Sequence, residues 1–319
     1  MSVMSSVALL SRGDLAADGV GSTALERLLG TGEVIRLRPG VYVRPEGDTA
    51  LKPEEWMVAR ARALAMVSRE PPLFSHLTAA ALHGLPVYAP SSPKVHVILE
   101  PKRPGAAVGV VQHRGEVPAD QVVDRYGVRC TGLERTLADI ARTTAFETAV
   151  CTLDAGLRPV AVPEPGVFRP DAADERRGRV REIALRSAHG RARALRSLAF
   201  ADGRAQLPGE SISRIRLAQL GFAPPDLQVA IPGPSGHNYY VDSGLDDVRA
   251  WGEFDGETKY RDEALRSGLT LDQALLREKQ REDWIRGSTQ RPMARWQWTH
   301  LRTADALGKR LAAFGIHPR

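Results

Sequence analysis

Lysine is scarce in this 319-residue chain. Six of its 44 basic residues are Lys, namely Lys52, Lys94, Lys102, Lys259, Lys279 and Lys309, and the rest are Arg. Where Arg fills nearly every cationic position, a Lys kept among acids, as Lys259 is, stands out. Cysteine is almost absent. Cys130 and Cys151 form no CxxC and no Cys/His cluster, which excludes a disulfide scaffold and a structural zinc site. No apolar run approaches the ~18 residues of a membrane span. The start, MSVMSSVALLSRGD, has no basic segment ahead of its apolar residues, so no signal peptide is expected. These absences together predict a soluble cytoplasmic protein. What is present is 43% hydrophobic and 26% charged residues, enough for buried cores in two or three domains. The net charge of +6 fits a polyanionic partner.

Residues 1–48 predict a helical unit closed by a hairpin. Leu9 to Leu15 suggests a short helix, and Gly19 to Gly21 a turn. Ser22 is a candidate N-cap for a helix burying Leu25, Leu28 and Leu29 and stopped by Gly30 and Gly32. Val34 to Arg38 alternates apolar and basic residues, Pro39-Gly40 turns, and Val41-Tyr42-Val43 returns. Helix, turn, helix and hairpin is the order of a winged helix-turn-helix. Its second helix would offer Thr23, Glu26 and Arg27 to a DNA groove, with Arg36, Arg38 and Arg44 meeting phosphates from the wing. The alternative is a structural unit whose basic hairpin is merely solvated.

Residues 49–157 predict a mixed α/β domain. Glu54–Ser68, Ser75–Pro86 and Leu133–Arg142 read as helices, and Val95–Leu99 and Gly109–His113 as strands. His76 and His83, seven apart, share a helical face, and separate structural roles are expected for them because no carboxylate stands beside them in sequence. Arg135 and Asp139, four apart, are expected to form a surface pair. Residues 158–205 predict a linker, Pro-rich at first (Pro159, Pro163, Pro165, Pro170) and then helical and rich in Arg. That basic stretch is either a solvated face or a flank holding a phosphate backbone.

Residues 206–319 carry the strongest chemical signal. The predicted order is helix, three strands, helix, strand. Glu253 and Asp255 are two apart on a strand, and Asp242 ends the strand before them. Glu210 lies in the first turn of the opening helix. Converging carboxylates repel one another unless a cation sits among them, and all-oxygen ligands suit Mg²⁺ or Mn²⁺. Such a metal can polarise a phosphodiester and lower the pKa of an attacking water. Lys259 could orient that water or neutralise charge on the phosphate in the transition state.

The pattern Glu210 … Asp242 … Glu253-Phe254-Asp255-Gly256-Glu257-Thr258-Lys259 resembles the PD-(D/E)XK nuclease superfamily, in the branch related to very-short-patch repair endonucleases. Here the usual Glu-x-Lys is Glu253-x-Asp255, so Lys259 must reach back from four residues on. The tail Arg277–Trp284 followed by Arg295–Trp298 looks like that branch too. Gly32–Tyr42, Ser75–Pro86 and Arg135–Asp139 resemble AbiEi-type antitoxins of type IV toxin–antitoxin systems. The resemblance implies an α+β protein with an N-terminal winged helix, a central mixed domain and a C-terminal restriction-endonuclease-like sheet flanked by helices. It implies a double-stranded DNA partner and Mg²⁺- or Mn²⁺-dependent hydrolysis, with Asp242, Glu253, Asp255 and Glu210 as ligands and Lys259 as the catalytic cation. The alternative it implies is a non-catalytic transcriptional autoregulator with a cognate toxin as further partner.

Overall fold

The computed structural model describes residues 7–45, 51–90, 92–99, 108–234, 236–256 and 270–319. Helices and mixed sheets alternate through two compact units. The first comprises Met1–Thr152 with Arg176–Phe200, and the second Leu153–Glu175 with Ala201–Arg319. The expected linker 158–205 is therefore divided between them and is largely helical. Among the described residues no helix is long and apolar enough to cross a membrane.

The first unit opens with strand β1 (Leu9–Ser11), helix α1 (Arg12–Ala17), helix α2 (Ser22–Thr31) and a hairpin of β2 (Ile35–Arg38) and β3 (Val41–Val43). The expected helix over Leu9–Leu15 begins only at Arg12. Ser11 caps it, its Oγ accepting from Asp14 N at 3.1 Å while the Asp14 carboxylate accepts from Ser11 N at 2.7 Å. Leu9–Ser11 pairs antiparallel with β3 instead, giving a three-stranded sheet of order β1-β3-β2. Gly21, rather than Ser22, precedes α2 as its cap. Gly30 lies inside that helix, and Gly32 ends it at φ 78°, a left-handed turn that glycine makes without steric cost. Leu15, Leu25, Leu28, Val34 and Tyr42 form the small core beneath.

The rest of that unit holds a five-stranded sheet of order β6-β5-β4-β8-β7. Its strands are β4 (Leu73–Phe74), β5 (Val95–Leu99), β6 (Val110–Arg114), β7 (Val122–Arg125) and β8 (Val128–Thr131). With it come α3 (Pro53–Val67), α4 (His76–Leu82), α5 (Leu133–Thr143) and α8 (Arg191–Phe200), while α6 (Phe146–Ala161) and α7 (Pro170–Leu185) are each divided between the two units, at Thr152 and at Arg176. Every residue of α4 is buried, its Ala79-Ala80-Ala81 run letting backbones approach closely. Leu137 and Ile140 of α5 are fully buried, each contributing about 1.5–3 kcal/mol by removal from water. The Pro-rich stretch is not all loop: Pro159 sits near the end of α6, and Pro170 opens α7.

The second unit is built on a four-stranded sheet of order β12-β11-β10-β9. Helix α9 (Pro208–Leu220) is followed by β9 (Asp226–Pro232), β10 (Asn238–Leu245), β11 (Ala250–Phe254), α10 (Leu271–Thr289), β12 (Met293–Trp296) and α11 (Ala304–Ala312). Up to β12 that is the element order expected from the sequence, and α11 is an addition to it. β9, β10 and β11 run antiparallel, and β12 joins β11 in parallel. Trp251 packs with Ile285 of α10, Met293, Val241 and Ile231. Phe254 lies against Gly209 of α9. Trp251 and Phe254 are an odd number of residues apart on one strand, so α9 and α10 cover opposite faces of the sheet.

Candidate functional site

Glu210 is held by its helix before any ligand is considered. Pro208 opens α9 with a preset φ, Gly209 seats the backbone on the Phe254 ring, and Glu210 falls in the positively polarised first turn. The fully buried Asp154 anchors that turn. It accepts from Ser211 Oγ at 2.7 Å, from Arg214 Nη1 at 2.8 Å and from Asp202 N at 2.7 Å. Burial pushes its carboxyl up to about 6 against the pull of Arg214.

Glu210 is itself 4% exposed. Its Oε2 accepts from Gln206 N at 2.9 Å and from Gln228 Nε2 at 3.1 Å. The same Gln228 nitrogen lies 3.5 Å from Asp242 Oδ1. Gln228 holds a left-handed φ of 54°, which residues other than glycine adopt rarely. Burial, then the charge of Asp242, push the Glu210 carboxyl up to about 8, opposed by its hydrogen bonds and the Arg158 guanidinium. Asp242 follows Val241, which packs on the α10 side, so Asp242 turns to the α9 side. Its Oδ2 accepts from Phe254 N at 2.9 Å.

Glu253 does not join this pair. The β10–β11 ladder stops at Ser243–Gly252, and the next free N–H, that of Phe254, goes to the Asp242 side chain. Glu253 shares the face of Trp251 and meets α10. Its Oε1 takes Arg281 Nη2 at 2.5 Å, and its Oε2 takes Arg295 Nη2 at 3.0 Å. Arg281 Nη2 also reaches Tyr240 O, and Glu278 pairs with both guanidiniums. Asp255 stands just past β11, half-buried, its N–H on Trp296 O at 2.8 Å. Lys259 lies outside the described residues.

The buried Glu210 and the half-buried Asp242 face one amide, an arrangement that can take a divalent cation in place of a proton. Mg²⁺ is commonly held by one or two carboxylates, with water and substrate phosphate completing its shell. Glu210 and Asp242 fit that role, while Glu253, both oxygens covered by guanidiniums, offers no such ligand as it stands. Among the described residues no group of three or more His, Cys, Asp or Glu side chains is arranged to hold a metal.

In the first unit, Thr23, Glu26, Arg27, Arg36 and Arg44 are exposed. Arg27 pairs loosely with Glu33 at 3.5 Å. Arg38 is half-buried and donates to Val108 O at 2.6 Å, so it is committed within its own unit.

A histidine group absent from the sequence-based expectations lies in the same unit. His76 stacks on His113 with centroids 3.4 Å apart, and His113 Nε2 lies 2.9 Å from His96 Nδ1. His83, at the end of α4, instead bonds Thr131 O at 2.8 Å, so the helical pair His76/His83 does not act together. Burial lowers all of these imidazoles, His96 to about 4. Asp139 is no surface residue. It is 1% exposed and takes Arg135 Nε at 2.9 Å and Arg142 Nη2 at 2.5 Å. The signal for the group was present as a histidine on each of the neighbouring strands β5 and β6, which pair in parallel.

No family model matches the chain. It is 29% identical over 224 residues to an uncharacterized protein of Mycobacterium tuberculosis, Rv2248 in strain H37Rv and MT2308 in strain CDC 1551, covering 70% of this chain and 74% of theirs. The crystal structure of the RV2827C protein from Mycobacterium tuberculosis matches 60% of this chain and 75% of its own, with a TM-score of 0.34 and 17% identity.

Proposed function

We infer that the protein binds double-stranded DNA and that its second unit hydrolyses phosphodiesters with a divalent cation, Mg²⁺ or Mn²⁺, between Glu210 and Asp242. The observation that carries this is a carboxylate pair, Glu210 buried and Asp242 half-buried, sharing the Gln228 amide, with Glu210 pushed up to about 8. Burial and the Asp242 charge oppose ionisation of Glu210, and a cation between the two acids would offset both as the proton leaves. When bound, the cation would polarise the phosphate and acidify an attacking water. The chain's own residues do the rest: Phe254 N–H fixes the Asp242 carboxylate, and Gln228 holds the two acids at one end of the sheet. The resemblance to PD-(D/E)XK nucleases supports this assignment and adds Lys259 as the cation facing the phosphate. In the first unit, the helix–helix–hairpin order and the exposed Thr23, Arg27, Arg36 and Arg44 support a winged helix on DNA. A cytoplasmic location follows from such a substrate.

One observation favours a second reading. Glu253 is clamped by Arg281 and Arg295, as in a domain that keeps the nuclease fold to grip DNA, regulating transcription beside a cognate toxin. Supercoiled plasmid incubated with full-length protein and Mg²⁺ or Mn²⁺, with EDTA as control, separates the two. Hydrolysis predicts nicking lost with EDTA and in Asp242→Asn; the clamp predicts retarded but intact plasmid throughout. In either case Arg27→Ala with Arg36→Ala should weaken binding to all sequences and flatten its salt dependence.

A further inference from the structure

We propose that the first unit carries a second anion site: a recess beside α5 and the end of α7 that takes the terminal phosphate of a nucleotide-sized molecule. The recess measures about 500 Å³, within the range of small-ligand pockets. Four guanidiniums line it, those of Arg114, Arg135, Arg142 and Arg186, against the single carboxylate of Glu116. Behind them Asp139 grips Arg135 and Arg142, one oxygen to each.

That grip determines what the recess can bind. Arg135 and Arg142 are each only 14% exposed, so both cations are largely withdrawn from water. One buried carboxylate between two guanidiniums that are mostly withdrawn from water leaves a positive excess, which is costly without a counter-ion. Asp139 also fixes their orientation by engaging one edge of each fork. Arg135 Nη1 spends its remaining reach on Glu116 O at 3.3 Å and Gln121 Oε1 at 3.4 Å, both long contacts. Arg142 Nε is buried and has no acceptor among the described residues. A phosphate oxyanion supplies the missing acceptors, and planar guanidiniums meet it with paired N–H groups. Among the described residues Arg186 at the rim pairs with the exposed Glu182, at 2.9 Å, and an exposed pair of this kind leaves it able to swing toward a ligand. The carbonyls at the end of α7 do not compete, since Arg191 donates to Leu185 O and Ser187 O.

A concave recess with half-hidden cations suits a terminal phosphate, which presents three oxygens on a narrow head. A duplex backbone phosphate sits on a broad convex surface and would reach the rim only. The site lies wholly within the first unit and is independent of hydrolysis at Glu210 and Asp242.

Titration calorimetry of the full-length protein tests this, with inorganic phosphate, pyrophosphate and a DNA duplex as probes at constant ionic strength. Saturable pyrophosphate binding is expected, stronger than that of phosphate, and weakened about tenfold or more in Arg142→Lys, which keeps the charge and loses the fork. Arg114→Gln with Arg186→Gln leaves the Asp139 contacts intact and should weaken binding several-fold even if Arg142→Lys folds poorly. Duplex binding should be unchanged by saturating pyrophosphate. Three results overturn the proposal: no pyrophosphate binding by the parent protein, binding untouched by the rim variants, or competition between pyrophosphate and duplex, which would give the recess to the DNA backbone.

Discussion

Glu210 and Asp242 share one side-chain amide: Gln228 Nε2 lies 3.1 Å from Glu210 Oε2 and 3.5 Å from Asp242 Oδ1. A carboxyl raised from 4.5 to about 8 holds a proton in the folded chain that the unfolded chain releases. Between those pH values stability must fall as pH rises, because the unfolded state binds fewer protons. Denaturant titrations at pH 5 and pH 8 should show that loss in metal-free protein. Glu210→Gln should flatten it, and Mn²⁺ should offset it at pH 8 with release of about one proton, read from calorimetry in buffers of different ionisation enthalpy. Parallel pH profiles for parent and variant would contradict the assignment.

The two faces of the sheet separate Asp242 from Glu253, and their substitutions should separate likewise. On the proposed reading, in which Asp242 is a ligand, Asp242→Asn should weaken Mn²⁺ binding about tenfold or more, since it removes a charge from the pair. Glu253→Gln should leave Mn²⁺ affinity nearly unchanged. It should instead destabilise the protein by about 3 kcal/mol, because Arg281 and Arg295 lose a buried counter-ion. Mn²⁺ titration and thermal melting of both variants check the pair of outcomes.

The stacked imidazoles predict an acid limb. His96 sits at about 4 in the folded chain, against 6.5 when exposed, and His76 and His113 are lowered in the same sense. Their neutral forms are favoured by folding. The stability they contribute is complete above pH 6.5 and is lost as pH falls from there toward 4. His96→Gln should reduce that loss, measured by thermal melts across the window. Ring resonances of His96 should stay neutral at pH 5.5.

Two glycines offer opposite outcomes for the same change. A methyl on Gly209 would fall into the Phe254 ring, so Gly209→Ala should cost about 1–3 kcal/mol by overpacking and disturb Glu210 beside it. Gly178, inside α7, has open space around its Cβ direction, so Gly178→Ala should stabilise by about 0.5–1 kcal/mol. Equilibrium unfolding of the two variants decides each.

The long elements were legible because their periodicity is strong. The amphipathic α5 and the strand-rich run before α10 follow directly from apolar spacing. Leu9–Ser11 was not, because three residues satisfy a strand or a helix equally and only β3 decides between them. Asp139 read as a surface partner of Arg135, since spacing reveals the pair but not the layer packed over it. The separation of Asp242 from Glu253 turns on where one ladder stops, and no residue type announces that. Gln228 was invisible for a different reason. Its importance lies in an unusual backbone angle and in two carboxylates brought to it from other elements.

The chain leaves the first unit at Thr152 and returns to it for Arg176–Phe200. On the ribosome, therefore, the amino-terminal unit cannot be completed until some two hundred residues have emerged. Arg176 then arrives to pair with Glu134, and α8 to pack by Phe200 against Phe146. By that time Asp154 has already been made, while its partners Ser211 and Arg214 are still to come. A buried carboxylate waiting for its counter-ion is a point at which synthesis and folding can fall out of step. Because domains ordinarily fold as they are made, amino-terminal first, pausing translation between residues 200 and 215 should expose a nascent chain that proteases cut readily within its second unit.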